Sequence, residues 1–145
     1  MGRKLPELSL SVQYACNEAG VPSRSQVRSW IRAACQQPAE VAVRFVDADE
    51  GQALNRDYRR KDYPTNVLSF PYESSPLIGD LVICAPVVTR EAGERHVAVE
   101  AHYAHLIVHG MLHLQGYDHL TAAEAKSMES RETEILLGLG FADPY

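Results

Sequence analysis

All six histidines of the chain, His96, His102, His105, His109, His113 and His119, fall within one window of 24 residues. At its centre stands His109-Gly-Met-Leu-His113-Leu-Gln-Gly-Tyr-Asp-His119. His109 and His113 are four residues apart, so on a helix their imidazoles leave one face a turn apart and can both reach one ion at about 2.0–2.1 Å. Gly116 can take the left-handed conformation that ends a helix, which lets the chain turn back and present His119 to the same point. Three neutral nitrogen donors with no thiolate nearby suit a catalytic zinc site, one ion per chain, with a fourth position left for water. A lone histidine would read as a core residue satisfied by a carbonyl; three at this spacing read as ligands. His102 falls on the same stripe nearly two turns earlier and reads as a supporting or packing residue. His105 points away from that stripe and His96 precedes the helix, so both read as structural or surface residues.

The pattern H-x-x-x-H-x-x-G-x-x-H resembles the zinc motif of metzincin proteases, in which a glutamate directly after the first histidine is the general base. Here that position is Gly110, and a peptidase without its base forfeits about 10²–10⁴-fold in rate. The fuller string H-G-x-L-H-L-x-G-Y-D-H is similar to the bacterial YbeY family of ribosomal RNA maturation factors. So are Asn55-Arg-Asp-Tyr58-Arg59-Arg-Lys61-Asp62-Tyr-Pro64-Thr65-Asn66-Val67-Leu68-Ser69-Phe70-Pro71, then Gly79-Asp80-Leu-Val-Ile, and the ending from Glu132-Thr-Glu134 to Asp143-Pro-Tyr. The resemblance spans about residues 38–145 and is weaker before them. It implies a small α+β domain and a cytoplasmic, monomeric, zinc-dependent endoribonuclease specific for single strands, with zinc on His109, His113 and His119. It further implies processing of the 3′ end of small-subunit ribosomal RNA, with single-stranded rRNA, the small subunit and assembly factors as partners.

Arg56, Arg59, Arg60 and Lys61 place four cations in six residues. They stand where a helix begun near Asp47 should end, and cations suit that end of a helix. Arg56 and Arg60 read as solvated surface. Arg59 differs because the family motif retains it and a guanidinium offers a two-pronged fork to a phosphate. Tyr58 and Tyr63 beside it could stack on unpaired bases or simply pack. The expected chemistry is metal-assisted phosphodiester hydrolysis, with Arg59 as catalytic residue stabilising charge at phosphorus. The base is unassigned: Asp118 could orient a ligand imidazole, Asp80 could line the cleft, and attack by the RNA's own 2′-hydroxyl, with zinc as Lewis acid only, is a further option. Two other classes compete. A zinc metallopeptidase is opposed by Gly110, and a non-enzymatic ribosome-assembly factor with structural zinc needs a fourth protein ligand, for which Cys84 is the soft candidate.

Elements must bring these groups together. Capping-box patterns at Ser23/Gln26, Asp47/Glu50 and Thr121/Glu124 predict helices over about 24–36, 48–58 and 122–138. A further helix over about 97–114 has apolar residues on nearly every side, which makes it central and buried, with the histidines on it. Leu8–Gln13, Val41–Val46, Val67–Phe70 and Ile78–Cys84 read as strands. Interleaving without a strict βαβ period predicts an α+β fold, a mixed sheet of roughly four strands packed with about five helices.

The chain's 145 residues, 46% hydrophobic and 23% charged, suit one globular domain over 1–145, able to bury roughly 70% of its unfolded surface without disulfides. Three scattered cysteines without a C-x-x-C pair fit reduced thiols in the cytoplasm. Pro6 and Glu7 interrupt any signal-peptide core, and the longest stretch free of charged residues, Ala101–Tyr117, holds four histidines, which argues against a membrane span. Net charge is −5, but residues 1–61 carry +3 and residues 97–145 carry −5. Bulk attraction to nucleic acid is therefore excluded, and any contact with RNA must be local.

Overall fold

The three caps read from the sequence open helices where expected, yet they close differently. Ser23 forms the full box: its hydroxyl accepts from Gln26 N–H, and the Gln26 side chain accepts from Ser23 N–H. At Thr121 the hydroxyl accepts from Glu124 N–H at 3.1 Å. Asp47 makes no side-chain cap bond, and Glu50, the other half of the expected box, holds the Arg44 guanidinium at 2.7 and 3.0 Å instead. For the Glu50 carboxylate, a two-point ion pair outcompetes a single bond from a main-chain N–H.

The computed structural model describes residues 5–145, so Met1–Lys4, part of the stretch read for a targeting signal, lies outside the described residues. The elements are β1 (Leu8–Ala15), α1 (Arg24–Ala34), β2 (Ala39–Val46), α2 (Ala48–Arg59), β3 (Val67–Ser74), β4 (Leu77–Cys84), α3 (Ala85–Arg95), α4 (Val99–Leu114) and α5 (Ala122–Gly138). The sheet runs β1-β2-β4-β3, with β1, β2 and β4 parallel and β3 antiparallel to β4. This is the mixed four-stranded α+β architecture expected, and β3 is one of its free edges. The helix that sequence patterns left unplaced is α3, which follows β4 without a linker and opens on Pro86 rather than on a cap. No described helix is long and apolar enough to cross a membrane.

Alternation along the strands splits the core in two. Val41, Val43, Phe45, Leu81 and Ile83 face α1, α4 and α5, while Leu68, Val82 and Cys84 face the opposite way with Val46 and Val87. As expected, α4 is central: it packs against β3, β4, α1, α3 and α5. Tyr103, Ile107, Met111 and Leu112 are fully enclosed on it, and burial of each of the last three is worth about 1.5–3 kcal/mol. It lies hard on the sheet because glycines stand at both contacts. A Cβ on Gly110 would sit 2.8 Å from Leu81, and one on Gly79 would sit 2.8 Å from Leu114.

Candidate active site

Rigid α4 sets two of the three candidate ligands. The rings of His109 and His113 are stacked at 6.4 Å with only 5° between their planes, as successive turns of one helix face require. Helix α4 then ends in a paired bond pattern, Tyr117 N–H to Leu112 C=O and Gly116 N–H to His113 C=O, with Gly116 at φ +102°. That closure needs a residue without Cβ, and it swings the chain back as the sequence spacing implied. His119 arrives 5.9 Å from His109 and 6.2 Å from His113, completing a nearly equilateral triangle of imidazoles.

Two of these rings are held in one tautomer. His109 Nδ1–H donates to Glu132 Oε1 at 2.6 Å, and His113 Nδ1–H donates to Tyr117 C=O at 3.0 Å. A carboxylate and a carbonyl can only accept, so each Nε2 keeps a free lone pair, the state a metal ligand needs. Among the described residues no three His, Cys, Asp or Glu groups already close around an ion. The centroid spacing of 5.9–6.4 Å exceeds the about 5 Å expected of three rings sharing a tetrahedral ion at about 2.0–2.1 Å. His119, with 58% of its side chain exposed, can move toward the other two, whereas the 6.4 Å between His109 and His113 is set by α4 and by their Nδ1–H bonds. The three nitrogen donors thus fit zinc in chemistry.

Glu132 is the residue that sequence reasoning passed over, noted only within the ending that resembled the family. It is 1% exposed on α5, accepts from Tyr145 O–H at 2.6 Å as well as from His109, and has His105 Nε2 at 3.5 Å. Burial alone would raise its pKa, but the hydrogen bonds from His105, His109 and Tyr145 outweigh that and hold it at about 2. Its signal in the sequence was a carboxylate on the apolar stripe Met128–Glu132–Ile135–Leu136. His102 is equally enclosed and donates to Glu91 Oε1 at 2.9 Å, which also accepts from Asn66 Nδ2 at 3.0 Å. The Nε2 of His102 is thus engaged by Glu91. His96 caps α3 in a left-handed conformation on the surface.

The histidines open into a cleft of about 560 Å³ that Arg59, Tyr58, Asn66, Ser69, Phe70 and Asp118 also line. Residues fifty positions apart in the chain share this cleft because β3, at the sheet edge, packs on α4 and holds Phe70 against Tyr58 in the last turn of α2. Cys84 N–H donates to Asn66 C=O, so even-numbered residues of β3 bond to β4 and odd-numbered ones turn their main chain outward. Asn66 Oδ1 covers Val67 N–H at 2.6 Å and Pro71 has no N–H, which leaves Ser69 N–H as the outward donor of that stretch.

A family model described as Endoribonuclease YbeY matches residues 13–140. The chain belongs to the YbeY family. The match reaches further toward the start than the motifs over 38–145 did. Curated relatives named Endoribonuclease YbeY include that of Methylibium petroleiphilum, 59% identical over 143 residues, covering 97% of this chain and 95% of the relative. That of Thiobacillus denitrificans is 56% identical over 143 residues and covers 97% of each. The solution structure of TM1509 from Thermotoga maritima shares the fold, with a TM-score of 0.57, 23% identity, and coverage of 93% of this chain and 97% of that one.

Against this YbeY frame several sequence expectations change. Gly110 packs on Leu81 of β4, where an added Cβ would sit 2.8 Å from the leucine side chain. Asp118 lines the cleft but does not orient His119: its Oδ1 accepts the His119 main-chain N–H at 2.8 Å and lies 3.9 Å from the ring nitrogen. Asp80 is not a lining residue and accepts from Tyr72 O–H at 3.0 Å on the opposite face of the sheet. Cys84, the candidate fourth ligand, is sealed in the smaller core cluster across the sheet from α4, where burial pushes its thiol pKa up. Tyr63 is exposed and outside the cleft, with its carbonyl accepting from the buried Asn55 side chain at 2.7 Å.

Proposed function

We propose that this chain is a zinc-dependent endoribonuclease that cuts single-stranded RNA, acting in the cytoplasm as a monomer on the 3′ end of small-subunit ribosomal RNA with ribosome-assembly partners. The observation that supports this most is the placement of Arg59 in the same cleft as His109, His113 and His119. Those three histidines would hold the ion, His109 and His113 through Nε2. When bound there, zinc supplies Lewis acidity, which raises the reactivity of a phosphoryl group or the acidity of a water at neutral pH.

The chain's own groups divide the remaining work. Arg59, exposed at the end of α2 and without a carboxylate partner among the described residues, can fork two non-bridging oxygens and stabilise charge as it builds on phosphorus. Ser69 N–H offers a neutral donor along the cleft wall. Asp118 is the carboxylate among the lining residues. Its Oδ1 is taken by His119 N–H, so Oδ2 is the atom free to accept a proton from an attacking hydroxyl. Glu132 keeps His109 in its tautomer from behind.

Zinc-loaded and chelator-treated protein should be assayed side by side on single-stranded RNA, duplex RNA, DNA and casein. Chelator-sensitive cleavage confined to single-stranded RNA is the expected result. Chelator-sensitive cleavage of casein would overturn the proposal in favour of a peptidase, and no zinc-dependent cleavage of any substrate would favour an assembly factor.

A further inference from the structure

One wall of the cleft is aromatic where burial does not require it to be. Tyr58 is 68% exposed, although it lies on the face of α2 that turns toward the sheet edge. One side of its ring is braced on Phe70 of β3, with centroids 5.1 Å apart and planes at 74°. Phe70 is itself fixed by the β3–β4 ladder and packs on the smaller core cluster with Leu68. The Tyr58 hydroxyl makes no hydrogen bond among the described residues, so neither core packing nor a polar contact accounts for this side chain. Its sequence neighbour is Arg59, and both line the cleft. Arg56 is balanced by Asp57 and Asp62 at 3.4 and 3.9 Å, whereas Arg59, Arg60 and Lys61 have no such carboxylate among the described residues. A flat apolar surface thus stands beside unneutralised cations and an outward main-chain donor.

We propose that Tyr58, braced by Phe70, is the platform on which an unpaired base of the substrate strand stacks, and that this contact restricts the cleft to single strands. The proposal rests on the ribonucleolytic reading above. A base inside a duplex has both faces covered by its neighbours and its edge taken by its partner, so it has no face to offer Tyr58. An unpaired base does, and the adjacent Arg59 then meets the phosphate attached to the same nucleotide. Stacking of this kind tolerates any base, because every base has a π-face.

The test uses zinc-replete protein and a fluorescein-labelled single-stranded RNA made uncleavable by 2′-O-methylation, with binding read by anisotropy. The control probe is a strand of equal length built from base-free sugar-phosphate units. Tyr58→Ala should weaken RNA binding about tenfold, and Tyr58→Leu, which keeps apolar bulk on Phe70 without a π-face, should do the same. Tyr58→Phe should stay within about twofold of wild type, since the hydroxyl has no partner. All four proteins should bind the base-free strand alike, and the preference for single strand over duplex should shrink in the Ala and Leu variants. RNA binding by Tyr58→Ala within twofold of wild type would overturn the platform, as would equal weakening of RNA and base-free strand. Failure of wild type to bind either probe would instead overturn the ribonucleolytic reading itself.

Discussion

Replacing Glu132 with glutamine removes one charge from a site where nearly every other feature is kept. The carboxylate is 1% exposed, receives hydrogen bonds at 2.6 Å from His109 and from Tyr145, and has a pKa held at about 2 against an ordinary 4.5. A displacement of that size corresponds to about 3 kcal/mol, at about 1.4 kcal/mol per pKa unit. The folded-state pKa is the lower one, so this stability is complete above pH 4.5 and is lost as the pH falls from there toward 2. Glutamine still offers one acceptor oxygen but must turn its NH2 toward the other donor, so Glu132→Gln should cost about 2–3 kcal/mol at pH 7, roughly 10 °C in Tm. Urea unfolding of metal-free wild type and variant at pH 7, 5, 4 and 3 measures this directly. The gap should be widest at pH 7 and close progressively below pH 4.5. Equal stability at pH 7, or a gap that does not change with pH, would show that the buried carboxylate is not held ionised by these hydrogen bonds.

Other outcomes follow from the same geometry. Native mass spectrometry of wild type should find about one zinc per chain, and His109→Ala or His113→Ala should lose both the ion and the rise in Tm that zinc confers, since an ion bound only by the folded state stabilises it by mass action. Arg59→Ala should keep full zinc content and an unchanged melt yet lose about 10²-fold or more in single-turnover RNA cleavage; Arg59→Lys should recover part of it and Arg60→Ala should change little beyond salt-dependent affinity. Gly110→Glu should destabilise the fold, since its Cβ would meet Leu81 at 2.8 Å, and should confer no hydrolysis of casein.

Local spacing made the metal-ligand candidates and much of the fold legible. His109 and His113 are one turn apart, and Gly116 marks the turn that returns His119, so three side chains could be brought together without knowing anything distant. Helix α4 announced its central place through apolar residues on all sides. What escaped depends on contacts between remote segments. Glu132 meets His109 across two helices, and only its position on an apolar stripe hinted at it. Glu50 was expected to complete a cap with Asp47, but β2 places Arg44 where it takes that carboxylate first. Gly110 marked the place of an absent base in the string, but its close packing on Leu81 depends on the sheet and was not legible there. The sharing of one cleft by Arg59 and the histidines required the strand order, because edge strand β3 carries Phe70 against Tyr58 of α2 and also packs on α4.

The central claim is that the three histidines and Arg59 form one zinc-dependent centre acting on RNA. Its most direct test is single-turnover cleavage of single-stranded RNA while zinc is titrated back into chelator-stripped wild type and His113→Ala. Wild type should be inactive when stripped and reach its full rate at one equivalent of zinc, while His113→Ala should stay inactive at that level. Full cleavage by stripped wild type, or an undiminished response in His113→Ala, would contradict the account.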